Sequence, residues 1–121
     1  MQIRDLYHGT NGDNILQIIR QGTLAPNMDR KIYFSEQRFD SVPMQGADTK
    51  RKATSAVKLR VTIPSTAMLQ KAATAGVSDT LIITTALPLP VQVLELYIRD
   101  PRASTFKTIQ GASAISKHLS A

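Results

Sequence analysis

Few side chains in this sequence are equipped for chemistry, and the most telling fall into two short runs, Tyr7-His8-Gly9-Thr10 and Ile32-Tyr33-Phe34-Ser35. His8 offers two ring nitrogens, one a donor and the other an acceptor when the ring is neutral. Gly9 has no Cβ, so its backbone can come close to a ligand. Tyr33 brings a ring that can stack and a hydroxyl that can hydrogen-bond. Each residue alone has an ordinary explanation, because a histidine at a strand end is usually a satisfied polar residue and a strand tyrosine usually packs. The two runs in this order carry the signal. Other chemistries find no support. There are two histidines, His8 and His118, with no carboxylates at ligand spacing, and there is no cysteine, so no metal site, thiolate nucleophile or disulfide is expected. No glycine-rich dinucleotide or phosphate loop is present, and no serine elbow.

The elements that must position these runs follow from periodicity. Ile3 to Tyr7 reads as a short strand ending at His8-Gly9-Thr10. Asn11, Gly12 and Asp13 start a helix expected over about 13–21, with Ile15, Leu16, Ile18 and Ile19 as its apolar stripe and Gly22 as its stop. Thr23 to Arg30 reads as a loop and Lys31 to Ser35 as a strand. The polar stretch from Glu36 to about Val57 suggests a loop leading into a helix, with Lys50-Arg51-Lys52 near its start. Lys58 to Ile63 alternates as a half-buried strand, ended by Pro64. A short helix is expected over Met68 to Ala75, strands over Thr80 to Thr84 and Val91 to Ile98, and a mixture of strand and final helix after Ala103.

At 121 residues, with 42% hydrophobic and 20% charged side chains, the chain suits one folded domain. Its formal charge is +6, much of it between Arg30 and Arg60, which suits a polyanionic partner or simply a solvated basic face. No apolar run reaches the roughly 18 to 20 residues of a membrane helix, so no membrane insertion is expected. A Met placed directly before the first strand fits a domain excised from a larger protein that carries any delivery signal.

The order of His8-Gly9-Thr10, amphipathic helix, Ile32-Tyr33-Phe34-Ser35 and later strands resembles the ADP-ribosyltransferase superfamily. The likeness is to its histidine-tyrosine branch, which includes diphtheria-type toxins and poly(ADP-ribose) polymerases. The Tyr7 to Ser35 segment carries the match, and RNA 2'-phosphotransferases share its His-Gly-Thr opening. The resemblance implies an α+β fold, a split β-sandwich with short flanking helices, and NAD as co-substrate without a metal. It further implies that His8 reaches a ribose hydroxyl, that the Gly9 backbone holds the nicotinamide amide, that Thr10 belongs to the NAD-binding set, that Tyr33 stacks on the nicotinamide and that Ser35 braces the site. The family's third position is a glutamate on a late strand, which stabilises the developing cation. Here strand placement points to Gln92, whereas Glu95 is the nearby carboxylate, and simple alternation puts the two on different faces unless a bulge intervenes. Arg30 and Arg51 are candidates for the NAD pyrophosphate.

Arg38, Lys50, Lys52, Lys58 and Arg60, together with Arg30, Lys31 and Arg51, form the basic block that would draw in a phosphate-rich acceptor, with structured RNA the leading one. The small size resembles the C-terminal toxin domains of bacterial Rhs-type polymorphic toxins. That implies bacterial competition, delivery into the cytoplasm of a target cell, translation inhibition, a cognate immunity protein and a monomeric enzyme. Two other readings stay open: a protein-directed transferase, acting for example on a translation factor, and a catalytically inactive RNA- or NAD-binding member.

Overall fold

The computed structural model describes residues 1–10, 12–36, 55–74, 77–99 and 106–120. Its organising feature is alternation, clearest where apolar residues two apart line one face of a strand. In β1 (Gln2–Thr10), Leu6 is buried while Asp5 is exposed. In β4 (Ser55–Ile63), Val57, Leu59, Val61 and Ile63 are all buried, with Lys58 and Arg60 between them. β3 (Lys31–Ser35) contributes Ile32 and Phe34, β6 (Val77–Thr84) contributes Leu81 and Ile83, and β7 (Leu89–Arg99) contributes Leu89, Val93 and Leu96.

Together with β2 (Thr23–Leu24), β5 (Met68–Thr74) and β8 (Phe106–Gln110), these strands form one eight-stranded antiparallel sheet. Its order is β2-β7-β4-β1-β3-β6-β5, with β8 on the other part of β7. The architecture is α+β. Two helices, α1 (Gly12–Gln21) and α2 (Ala112–Ser120), place Ile15, Ile18 and Ile115 in the same continuous core as the strand residues. Both therefore cover the apolar face, called here the inner face. A Cβ on Gly12 would sit 3.3 Å from Leu119, so the absence of a side chain lets the two helices approach.

Gly22 ends α1 with φ 67°, in the left-handed region, its N–H donating to the Ile18 carbonyl at 2.8 Å. Its own carbonyl accepts from Val91 N–H at 2.9 Å, tying the helix end to β7. The turn before β3 is built by Asn27, whose Oδ1 accepts from the N–H groups of Asp29 and Lys31 at 2.9 and 3.0 Å.

Two expectations are corrected. Met68 to Thr74 is strand β5 rather than a helix, because a free edge of β6 pairs with it from Met68↔Thr84 to Thr74↔Val77. Met, Leu, Gln, Lys and Ala are good helix formers, but the edge offers backbone partners and a core for Leu69. Ala56 and Val57 belong to β4, not to a helix, since they continue its register with β1. Residues 37–54, where the rest of that helix was expected, lie outside the described residues.

Candidate active site

The two edges of β1 are used differently. Toward β4 every residue from Gln2 to Thr10 has a register partner, from Gln2↔Ile63 to Thr10↔Ser55. Toward β3 the register among the described residues contains a single pair, Tyr7↔Ser35. Past that pair the sheet opens, and the β3-side edge of His8, Gly9 and Thr10 is left without strand partners. The His8 side chain bridges the opening: Nδ1 lies 2.9 Å from the Tyr33 carbonyl oxygen. A carbonyl only accepts, so Nδ1 carries the proton, and Nε2 of the neutral ring is an acceptor. Burial pushes the His8 pKa below its ordinary 6.5, partly offset by the hydrogen bond to the Tyr33 carbonyl. The ring also packs against Phe34, with centroids 5.6 Å apart.

On the inner side, His8 and Thr10 line a cleft of about 340 Å³ together with Asn14, Gln17, Ile18 and Gln21 of α1 and Thr23, Leu24 and Ala25. Amides, hydroxyls and aliphatic groups make up the rest of this lining, and among the described residues no carboxylate, lysine or arginine belongs to it. Asn14 Nδ2 donates to Thr10 Oγ1 at 3.1 Å, which fixes the strand end against the helix. Asn14, Gln17 and Gln21 are functional candidates that the sequence reading missed. Their spacing of three and four along α1 was the available signal, hidden beneath the stronger apolar stripe.

The other face of the sheet, called here the outer face, carries the remaining candidates. Cross-strand partners share a face. Tyr7↔Ser35 and Tyr7↔Lys58 therefore put Tyr7, Tyr33, Ser35 and Lys58 on one side, with Gly9 beside them. Tyr33 is 48% exposed, whereas Ser35 is buried. The Tyr33 ring and the His8 ring thus lie to opposite sides of β3, joined through the Tyr33 backbone.

In β7 the register steps from Lys58↔Glu95 to Leu59↔Val93, leaving Leu94 as the extra residue of a bulge. Arg60↔Gln92 follows, and Lys58 and Arg60 share a face, so Gln92 and Glu95 do as well. The simple alternation that separated them does not hold, and the bulge is the reason. Glu95 accepts from the Tyr97 hydroxyl and from Gln110 Nε2, the latter at 3.5 Å.

The basic residues divide. Arg60 pairs with Asp5, Nε to Oδ1 at 3.1 Å, and its pKa is raised by that hydrogen bond and by the carboxylate charge. Lys58 Nζ stands 5.9 Å from the centre of the Tyr7 ring. Arg30 is exposed at the turn before β3 with φ 61° and does not line the cleft. Arg38, Lys50, Arg51 and Lys52 lie outside the described residues. Among the described residues no group of three or more histidines and carboxylates could hold a metal ion, and no helix is long and apolar enough to cross a membrane.

Comparison of the chain with protein-family models, with curated proteins and with solved structures gave no match in any of the three.

Proposed function

We propose that the chain is an NAD-dependent ADP-ribosyltransferase with a split β-sandwich of the histidine-tyrosine type. The observation that carries this reading is the opening of β1 at His8-Gly9-Thr10, bridged by His8 Nδ1 to the Tyr33 carbonyl. An opened strand edge offers backbone N–H and C=O groups at a fixed spacing, which a planar carboxamide can match as a short strand would. Nicotinamide carries that carboxamide, and Gly9 admits it without a side chain in the way. Tyr33, on the outer face and half exposed, offers the ring that stacks on the pyridinium in this reading.

His8 then has a defined role. With Nδ1 committed and the ring neutral, Nε2 accepts a hydrogen bond from a ribose hydroxyl and orients the sugar. The bond between the nicotinamide nitrogen and ribose C1' breaks, and its electron pair leaves with nicotinamide. The cation developing at C1' is stabilised by a negative charge, and of the two candidates on the outer face of β7 only Glu95 carries one, whereas Gln92 offers a dipole. An acceptor hydroxyl attacks C1' through its oxygen and releases its proton. The neutral inner cleft suits the uncharged nucleoside part of the dinucleotide better than its pyrophosphate.

The acceptor in this reading is structured RNA, whose 2'-hydroxyls are nucleophiles and whose phosphates suit the +6 charge of the chain. A toxin domain of the Rhs type, delivered into the cytoplasm of a competing cell and blocked there by an immunity protein, fits this activity. The test is incubation of the purified chain with labelled NAD and bacterial lysate, followed by nuclease or protease digestion of separate aliquots. Label released by nuclease is the expected result. Label released only by protease moves the acceptor to protein, and absence of both label and NAD cleavage leaves an inactive binding protein.

A further inference from the structure

We propose that Tyr97 and Gln110 are positioning residues that hold the Glu95 carboxylate in place, a role that rests on the transferase reading above. Glu95 follows the Leu94 bulge, where β7 is bent out of regular pleat, so its direction is not dictated by the strand alone. Two neighbours constrain it. Tyr97, two residues on, has its ring tilted against Tyr7 with centroids 6.0 Å apart, and it is only 4% exposed. A buried phenol needs an acceptor, and this one donates to Glu95 Oε2. Gln110, the register partner of Glu95 on β8, donates from Nε2 to Oε1.

Oε2 thus receives the Tyr97 hydroxyl from its own strand, and Oε1 receives the longer contact from Gln110 on β8, so both oxygens have a donor. A carboxylate held this way meets a developing cation without first reorganising, which is the form of electrostatic stabilisation that accelerates bond cleavage. Neither Tyr97 nor Gln110 needs to touch NAD. The arrangement also accounts for a tyrosine side chain buried on the outer face, where Lys58, Arg60 and Gln92 are otherwise polar.

The experiment compares Tyr97→Phe, Gln110→Ala, Glu95→Gln and the double variant Tyr97→Phe/Glu95→Gln in the full chain. It reads kcat and KM for NAD cleavage and, without NAD, the carbon NMR signal of the Tyr97 Cζ. Phenylalanine keeps the packed ring, so the fold is preserved. Tyr97→Phe is expected to lower kcat about tenfold with KM for NAD unchanged, and Gln110→Ala about threefold. In the Glu95→Gln background Tyr97→Phe is expected to cost nothing more, because the two residues act as a unit. A full additional loss there overturns the proposal, as does a Tyr97 signal that Glu95→Gln does not move. If the wild-type chain cleaves no NAD, the transferase reading fails by itself. A moved signal then keeps the Tyr97-Glu95 pair, and an unmoved one removes it too.

Discussion

The two edges of β1 divide labour within one strand. On the β4 side, nine consecutive register pairs tie β1 into the sheet, and every second residue opposite, from Val57 through Leu59 and Val61 to Ile63, is buried. On the β3 side, one pair is made among the described residues, and the edge past it, from His8 to Thr10, is bridged by a histidine ring. The closed edge makes a fold, and the open edge makes a place where backbone can be offered to something else. The proposed role of His8 lies where pairing is withheld.

That contrast can be broken by experiment, beginning with its largest effect. Leu59→Ala, on the fully paired side and completely buried, should lower unfolding free energy by about 3 kcal/mol in urea denaturation. A loss well under 1 kcal/mol would mean that the β4 side is not the stabilising one. His8→Ala, on the open side, should cut NAD cleavage about 100-fold or more while shifting the urea midpoint little. If unfolding and activity fell together, the open edge would be structural after all.

Gly22→Ala sharpens the contrast at the helix end that is tied to β7. A Cβ there meets nothing within 4 Å, so the expected cost is conformational, about 1 kcal/mol, with NAD cleavage unchanged at saturating substrate. A loss of turnover without a loss of stability would relocate α1 into the catalytic machinery.

The pH dependence tests His8 by sign. Its pKa is lowered on folding, so as pH falls below 6.5 the unfolded imidazole takes up a proton before the folded one does. The contribution is present above pH 6.5 and is lost as pH falls through the folded value. His8→Gln should remove that part of the slope, and identical pH profiles for the two proteins would contradict a half-buried, neutral His8. The smallest effect is expected from Asp5→Asn, which breaks an exposed pair with Arg60 and should leave the thermal midpoint where it is.

Much of this layout was legible in the sequence. The alternation from Lys58 to Ile63 gave a strand because one of its faces is apolar at every second position, and Gly22 gave the end of α1 because glycine takes that φ with the least strain. The pairing of His8 with the segment around Tyr33 was readable as two motifs in order, although their bond runs through the Tyr33 backbone, which no side-chain pattern encodes. Two failures have different causes. Met68 to Thr74 was misread because its local helix preference is overridden by the edge of β6, a tertiary effect. The relation of Gln92 to Glu95 was misread because counting by twos assumes regular pleat, and Leu94 adds one residue to β7 without any mark of its own. Tyr97 and Gln110 stand 13 residues apart in the sequence, and only the β7–β8 register brings both to Glu95.

The uncharged lining of the inner cleft has a consequence for ionic strength. Neutral donors and acceptors are hardly screened by salt, whereas contacts between surface lysines or arginines and a polyanion weaken steeply as counterions compete. Occupancy of the cleft by a nucleoside should therefore persist at salt concentrations that strip a polyanion from the surface. A simple salt titration would then separate the two binding events on one molecule, without changing a residue.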